Sequence, residues 1–420
     1  MTQLNDLVEH FFRHESGRLV ALLTRSLGVE RLDLVEDVVQ ASLMQALETW
    51  GVRGIPDDPA GWLYRTARNR ALDSLRRERV RERILPEISV DACEEPLADE
   101  PQFADEIGDE PLRLLFLCCH ESVPIESSVA LALRTVCGFG TDEIARGLLT
   151  TEANVQKRIA RAKGRLRDEP GAWESPGLGP LRSRLDAVLA TIYLLFNEGY
   201  NAAHSDVPIR RDLCDEALRL ARMLAVHAAG DDSVVFALVA VIGLHSARLD
   251  SRLSPSGTIV LLEEQDRSTW NWSLVREAME WMGRSATGPT LTRYHVEAAI
   301  AWEHCRAPAF AETDWGRIID LYSTLERIAP SPIHSLNRAV AEAYRDGPEA
   351  GLARLAKVPP EQIPARYPAW QAVVGELQFR AGNLVEAEKA WCEALTLAPI
   401  DHDLIARRLA DCRTLLGTAN

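Results

Sequence analysis

Residues 58–83 read DPAGWLYRTARNRALDSLRRERVRER. Asp58 can accept hydrogen bonds from the first exposed amides of a helix, and Pro59 suits the first helical position because its missing N–H has no partner to lose there. Apolar side chains recur every three or four residues along the stretch and form one narrow face. They are Ala60, Leu63, Ala67, Ala71 and Leu75. The stretch therefore predicts an amphipathic helix that begins at Pro59.

The opposite face of this helix is cationic. Residues 59–83 contain eight arginines and three acids, whereas the chain of 420 residues carries a net charge of −15. A basic patch in an acidic protein indicates a polyanionic partner such as nucleic acid. The alternative is a solvated helix whose arginines pair with neighbouring acids.

The composition indicates a soluble globular protein. Hydrophobic residues make up 46% and charged residues 26% of the chain, whose length is typical of roughly three domains. No run of about 20 apolar residues occurs and the N-terminus lacks a signal-peptide pattern, so we expect a cytoplasmic protein. The eight cysteines contain no C-x-x-C pair and predict reduced thiols. Cys118, Cys119 and His120 are adjacent, and because neighbouring side chains diverge on a helix we expect neither a metal nor a cofactor.

The residues before the arginine-rich stretch also have a helical period. Residues 4–27 predict two helices, or one helix broken near Ser16 and Gly17, and residues 32–50 predict another. The apolar stripe of the second helix comprises Leu34, Val35, Val38, Val39, Leu43, Ala46 and Leu47. Its other side carries Asp33, Glu36, Asp37 and Gln40. Early carboxylates also suit the positive end of the helix dipole, so a purely structural role is the alternative. Residues 51–58 predict a loop.

A second basic helix is predicted further along the chain. Thr141 is expected to cap a short helix, residues 150–152 to form a turn, and residues 153–167 to form a helix. The buried stripe of that helix comprises Val155, Ile159, Ala162 and Leu166. Its remaining surface carries six cations and no acid. This order is typical of a helix-turn-helix, whose second helix enters the major groove.

These motifs together resemble a known family. Residues 33–50 (DLVEDVVQASLMQALETW), a loop, and residues 59–77 (PAGWLYRTARNRALDSLRR) resemble region two of the extracytoplasmic-function sigma factors of bacterial RNA polymerase. Residues 150–167 (TTEANVQKRIARAKGRLR) resemble the recognition helix of region four. The resemblance implies an all-α chain divided into region two, an acidic linker, region four, a second linker and a helical extension. The corresponding ranges are 1–83, 84–111, 112–170, 171–181 and 182–420.

The resemblance also implies which residues bind. The acidic helix would dock on the coiled coil of the largest subunit of core RNA polymerase through Asp33, Glu36, Asp37 and Gln40, and region four would meet the flap. The loop at Arg53–Asp58 and the arginine helix would capture and melt the −10 element of promoter DNA. The −10 residues would be Arg53, Trp62, Arg65, Arg68, Asn69, Arg76 and Arg77. The −35 residues would be Asn154, Lys157, Arg158, Arg161, Lys163 and Arg165. Gln156 stands where the motif usually has a cation, so the register of base contacts stays open.

The C-terminal part is helical in pattern throughout. Five residues occupy the positions where a tetratricopeptide repeat has small residues, an aromatic residue and a final proline. They are Gly375, Ala387, Trp391, Ala394 and Pro399. The pairs Ala329-Pro330 and Ala398-Pro399 are 69 residues apart, close to two periods of about 34. Such repeats stack into an array with a groove.

The extension contains FNEGY (196–200), LLEEQDRSTW (261–270) and LNRAVA (336–341). With these motifs the whole chain resembles the sigma-factor subgroup that has a C-terminal tetratricopeptide-like regulatory domain. Polar residues concentrate in the first two motifs and predict a regulatory pocket for a peptide, a protein or a small ligand. The predicted pocket residues are Asn197, Glu198, Tyr200, Glu264, Asp266 and Arg267. Catalysis is disfavoured there, because polar groups between helical layers usually satisfy buried backbone groups.

Two alternatives remain at the level of the sequence. The chain could be a tetratricopeptide adaptor whose N-terminal helices are interaction modules. It could also be a DNA-binding regulator that uses only the helix-turn-helix.

Overall fold

The computed structural model describes residues 2–84, 109–148, 150–169, 178–201, 208–255, 257–363, 367–397 and 402–418. Most of the predicted acidic linker, most of the second linker, and the Ala398-Pro399 pair lie outside these residues. The described residues form α-helices and short 3-10 helices, with one isolated antiparallel bridge between Leu253 and Ile259. The all-α prediction is therefore confirmed.

The chain forms two compact units. The N-terminal unit comprises Met1–Leu195 and His227–Gly230, and the C-terminal unit comprises Phe196–Val226 and Asp231–Asn420. The helices of the N-terminal unit are α1 (Thr2–Leu27), α2 (Leu32–Arg53), α3 (Pro59–Ile84), α4 (Glu110–Cys118), α5 (Ile125–Thr135), α6 (Thr141–Gly147), α7 (Glu152–Asp168) and α8 (Leu178–Ser183), followed by α9 (Leu185–Tyr200), which ends in the C-terminal unit.

Helices α1, α2 and α3 pack together as a bundle. Helix α1 is unbroken, and at Gly17 it passes so close to α5 that an added Cβ would lie 2.1 Å from the carbonyl oxygen of Val136. The glycine expected to break the helix therefore permits close packing. Helix α3 begins as predicted, since the Asp58 carboxylate accepts a hydrogen bond from the Gly61 N–H at 2.9 Å. Leu63, Ala67 and Ala71 on its narrow face are buried.

The α2 prediction needs one correction. The apolar stripe predicted for α2 includes Leu47, but the Leu47 side chain is 55% exposed. The buried residues of α2 run from Leu32 to Ala46, and Leu47 lies beyond the last of them on the solvent side. The spacing of apolar residues in α2 does not show how far along α2 the neighbouring helices bury its apolar stripe.

The predicted helix-turn-helix is present as α6, a short turn and α7. Val155, Ala162 and Leu166 on α7 are buried. Thr141 does not cap α6: the preceding Gly140 is the N-cap residue, and its N–H donates to the Glu143 carboxylate at 2.6 Å. Thr151 caps α7 by accepting from the Asn154 N–H at 3.3 Å.

The remaining helices of the C-terminal unit are α10 (Arg211–Val226), α11 (Ser233–Ser246), α12 (Trp272–Ser285), α13 (Arg293–Arg306), α14 (Trp315–Ile328), α15 (Pro332–Asp346), α16 (Pro348–Leu355), α17 (Pro368–Arg380), α18 (Leu384–Leu397) and α19 (His402–Thr418). Helix α11 is the central core helix of this unit and packs on α10, α12 and α13. The stretch Ser233–Ser251 is apolar and long enough to cross a membrane, but 78% of it is buried inside the fold.

Successive helices pack against each other from α13 to α16 and from α17 to α19. In the last group an added Cβ on Gly375 would lie 2.6 Å from the ring of Trp391, and the indole N–H of Trp391 donates to the carbonyl of Ala372 at 3.2 Å. Ala387, Trp391 and Ala394 are buried. The small residues thus make room for one large ring between the helices.

Candidate nucleic-acid interface

Helix α2 presents one continuous exposed face. Asp33, Asp37, Gln40, Met44 and Leu47 are all exposed and follow one another at intervals of three and four residues. The face is polar at its N-terminal end and apolar at its C-terminal end, where Met44 is 62% exposed. Sequence reasoning found the polar half and missed the apolar half, although the same spacing continues through it.

The described arginine side chains of α3, which end at Arg77, point into solvent. The exposed predicted −10 residues on this helix are Arg65, Arg68, Asn69, Arg76 and Arg77. Arg65 lies 3.6 Å from Asp58 and Arg76 lies 3.5 Å from Asp73, but all four side chains are more than half exposed. Ion pairs of this kind contribute little and are easily exchanged for other anions. The cationic face is therefore available to a polyanion.

The loop before α3 is exposed, and its aromatic neighbour is not. Arg53 and Ile55 are exposed, and Gly54 adopts a positive φ of 84° after α2 ends. Trp62 is half-buried and makes an edge contact with Trp50, with ring centroids 5.5 Å apart. One edge of Trp62 thus contributes to packing, and the predicted base-stacking role remains a prediction.

Helix α7 divides its cations between two sides. Asn154, Lys157, Arg161 and Arg165 are exposed and lie on one side of the helix. Arg158 lies beside them but is half-buried, and its guanidinium contacts the Glu126 carboxylate of α5 at 2.7 Å. Lys163 and Arg167 lie on the other side, toward α2. The structure thus groups five of the six predicted −35 residues and separates Lys163 from them.

The second side of α7 is paired with the acidic helix. The Lys163 ammonium lies 2.6 Å from Asp33 and 2.7 Å from Glu36, and Arg167 lies 3.2 Å from Asp33. Glu36 also accepts a hydrogen bond from the Thr135 hydroxyl at 2.8 Å. Burial lowers the pKa of Lys163, but Glu36 and Asp33 outweigh it and raise the pKa overall. Two predicted polymerase contacts and one predicted DNA contact therefore neutralise each other in this structure.

The predicted regulatory pocket is only partly assembled. Glu198 is buried, Asn197 and Tyr200 are half-buried, and the Tyr200 hydroxyl accepts from Arg248 at 2.8 Å. The predicted pocket residues Glu264 and Asp266 are exposed, and Asp266 accepts from the Ser268 N–H at 2.9 Å. The half-buried Arg267 lies over the Trp270 ring, with its Cζ 4.7 Å from the ring centroid. Arg248 was missed because its position after the apolar α11 gave no sequence signal.

Other chemistry-bearing residues lie apart from these surfaces. Cys118 and Cys119 are buried, and burial raises the pKa of the Cys119 thiol to about 12. Within the described ranges no group of three His, Cys, Asp or Glu side chains is placed to hold a metal ion.

Comparison with known proteins assigns three parts of the chain. A sigma-70 region 2 family model matches residues 11–81, and a sigma-70 region 4 model matches residues 113–166. The chain thus contains regions 2 and 4 of an RNA polymerase sigma factor. A family of unknown function, DUF6596, matches residues 184–286 of the sigma factor.

A relative of similar length is known for this sigma factor. An uncharacterized protein of Rhizobium meliloti (strain 1021) is 38% identical over 376 residues, which cover 87% of this chain and 86% of the relative. No solved structure matches the sigma factor.

The family assignment fixes the coarse function. As a sigma factor the chain binds core RNA polymerase and promoter DNA and acts in transcription initiation. The region 2 match lies over α1 to α3. Neither an adaptor protein nor a regulator with only a helix-turn-helix requires such a region. The two alternatives left open by the sequence, a tetratricopeptide adaptor and a DNA-binding regulator with only a helix-turn-helix, are therefore set aside.

Proposed function

We propose that this sigma factor is of the extracytoplasmic-function type, works in the cytoplasm without catalytic activity, and docks on core polymerase through the exposed face of α2. The continuous surface from Asp33 to Leu47 supports this assignment most directly. Its exposed Met44 and Leu47 supply apolar area, and its carboxylates supply orientation and specificity. The coiled coil of the largest subunit is the proposed partner of α2, and the flap that of region four.

The −10 element is the proposed ligand of the Arg53 loop and α3. Separated strands need cations along their phosphates, and the exposed Arg68 and Arg76 lie on the solvent face of α3. The −35 element is the proposed ligand of the exposed side of α7. Arg158 can pair bidentately with guanine once it leaves Glu126, and Arg161 and Arg165 suit phosphates.

Docking through α2 requires α7 to move away from it. Asp33 and Glu36 cannot bind polymerase while Lys163 holds both of them. Lys163 likewise reaches a phosphate only after leaving these carboxylates. The closed arrangement of α2 and α7 is therefore the proposed free state, and the polymerase-bound state is open.

The C-terminal unit is proposed to be a tetratricopeptide-like regulatory domain. Two observations support this: helices packed in sequence from α13 onward, and the fit of Gly375 against Trp391. The residue ranges given above for the two regions and the linkers are proposed as the domain boundaries. The regulatory domain is proposed to bind a peptide, a protein or a small ligand.

Run-off transcription tests the proposed function. Purified core polymerase with this protein is expected to start RNA at a cognate promoter selected from a random promoter library. Asp37→Ala with Gln40→Ala is expected to abolish polymerase binding and leave the fold intact, because both side chains are exposed. Asp320→Ala on α14 is the control, since it also removes an exposed carboxylate. Absence of any defined start across the library would contradict the proposal.

A further inference from the structure

Two arginines of the C-terminal unit share one indole ring. Arg248, which follows α11, has its Cζ 5.8 Å from the Trp270 ring centroid, and Arg267 has its Cζ 4.7 Å from the same centroid. Arg248 and Trp270 are 6% and 3% exposed. The two guanidinium groups thus lie at one buried place in the fold.

Neither guanidinium has a carboxylate partner among the residues that the structure describes. Arg248 donates to the Tyr200 hydroxyl at 2.8 Å and contacts Nδ1 of His245 at 3.0 Å, both neutral groups. Arg267 donates to the carbonyls of His304 and Ala307 at 2.5 and 2.7 Å. Those carbonyls end α13, so the helix dipole offsets part of the charge of Arg267.

Two acids close in sequence to His304 and Arg267 pair with other arginines. Glu303 pairs with Arg306 at 2.6 Å, and Glu263 pairs with Arg380 at 3.4 Å. In contrast, the partly buried Arg338 and Arg354 of the same unit share the carboxylate of Glu326. An unpaired buried charge costs several kcal/mol, so leaving Arg248 without a carboxylate partner destabilises the fold.

The local electrostatics agree with an excess of positive charge. Burial, followed by Arg248 and Arg267, lowers the pKa of His304 to about 3. Burial, followed by Arg248, Arg252 and His304, holds the pKa of His245 well below its usual range. Both imidazoles are therefore neutral at pH 7, and neither adds to nor cancels the charge of the arginines.

Three of the unsatisfied buried atoms at this place are donors. Nε of Arg248, Nη2 of Arg267 and Nε1 of Trp270 are buried without a hydrogen-bond partner. Each of these atoms can only donate. A water molecule could accept one or two of these hydrogen bonds but would not neutralise the charge. An oxyanion would do both, and guanidinium groups bind carboxylate and phosphate oxygens with favourable geometry.

We propose that Arg248, Arg267 and Trp270 form a binding site for the carboxylate or phosphate group of a small anionic ligand. Tyr200 flanks the site, because its hydroxyl contacts Arg248 and its ring stacks under Arg252, whose Cζ lies 3.6 Å from the ring centroid. The site lies within residues 184–286, the part of the chain that matches a family of unknown function. It deepens the regulatory pocket proposed above by naming the chemistry of its ligand, and ligand binding does not depend on the sigma activity.

Calorimetric titration of the full chain with inorganic phosphate, and separately with acetate, tests the site at constant ionic strength. We expect saturable binding of at least one of the two anions, and the arm that binds identifies the preferred group. Arg248→Gln is expected to weaken binding about ten-fold or more, since a charge-assisted hydrogen bond is worth at least that factor. Arg284→Gln is the matched control, because Arg284 also lies over aromatic rings but has Asp231 at 3.7 Å.

A second variant keeps the test decisive if Arg248→Gln fails to fold. Trp270→Phe retains an aromatic ring and removes the Nε1 donor, and it is expected to weaken the same binding with unchanged far-ultraviolet circular dichroism. No saturable binding of either anion, or equal affinity in wild type and every folded site variant, would overturn the site. Run-off transcription of the wild type, measured separately, would still report on the proposed function.

Discussion

Arg161 carries its positive charge in a different setting from that of its neighbour Arg158. Arg161 is exposed and forms no ion pair within the described part of the chain, whereas Arg158 is held by Glu126 at 2.7 Å. An unpaired cationic side chain that contacts a phosphate releases counterions condensed on the DNA. A side chain that is already paired must first exchange its carboxylate partner for the phosphate. Arg161 is therefore expected to contribute affinity and Arg158 discrimination.

Arg161→Ala should weaken promoter binding by the polymerase holoenzyme. Loss of one phosphate contact should also reduce the slope of log affinity against log salt by about one. Arg317→Ala on α14 removes an equally exposed positive charge from the C-terminal unit and should leave the slope unchanged. Fluorescence anisotropy at several salt concentrations measures both slopes. Equal slopes for the two variants would remove Arg161 from the interface.

His304 makes the stability of the C-terminal unit sensitive to acid. Its pKa is about 3 in the folded chain because of burial and the nearby Arg248 and Arg267, against an ordinary value of 6.5. Between these values the unfolded chain binds a proton that the folded chain does not, so stability falls as the pH drops below 6.5. At pH 5 the loss from His304 alone is about 2 kcal/mol.

Denaturant titrations at pH 7 and pH 5 check this expectation. The wild-type midpoint should fall on acidification, and His304→Gln, which cannot titrate, should show a smaller fall. The same dependence on pH in both proteins would show that His304 is not the group responsible.

At the scale of elements, α2 and α7 use charges of opposite sign to hold each other. Lys163 is only 16% exposed on its side chain and lies between Asp33 and Glu36. Glu36 is fixed by the Thr135 hydroxyl as well, so the contact has a defined geometry. If polymerase docks on α2 as proposed, the same face cannot bind α7 and polymerase at once, and the contact would restrain assembly.

Lys163→Ala should tighten binding to core polymerase. Removing two charge-assisted contacts from the closed arrangement, worth together about 1 kcal/mol, shifts the population toward the open one, with a gain of up to about five-fold in affinity. Lys157→Ala is the control, because Lys157 lies on the same helix and is exposed without an acid partner in the described ranges. Titration of labelled protein with core polymerase gives both affinities. Equal affinities for Lys163→Ala and wild type would mean that the contact does not restrain assembly.

The whole molecule is acidic, and this sets how it meets DNA. A net charge of −15 repels phosphate at long range, while the cations of α3 and α7 attract it only at short range. Screening reduces the repulsion in salt but reduces the attraction as well. We therefore expect that attachment to polymerase is needed to bring the two basic helices to one promoter.

The free protein should bind promoter DNA far more weakly than the holoenzyme does. At physiological salt we expect a difference of roughly 10³-fold or more, the usual gap between non-specific and specific binding. Filter binding with the same labelled promoter and an excess of non-cognate DNA compares the two. Tight specific binding by the free chain would show that it is an autonomous DNA-binding protein.

Helical periodicity and charge segregation were readable from the sequence. The start of α3 at Pro59, its buried Leu63 and Ala67, and the helix-turn-helix at α6 and α7 all depend on residues within a few turns of one another. Such local preferences act before any tertiary contact forms. The cap of α6 was wrong because Glu143 reaches back to Gly140, and Leu47 was misplaced because no local signal marks the edge of a packed face.

The sequence by itself therefore determined that the chain is helical, that its basic residues lie on two separate helices, and which family it resembles. Tertiary structure alone decided which charges are free and which are paired. Lys163 meets Asp33 across 130 residues of sequence, and Arg248 and Arg267 come together without a carboxylate between them. The reason is physical. The period of a helix follows from bonds between residues close in sequence, whereas the pairing of a charge depends on which distant side chain the tertiary packing places within a few ångströms of it.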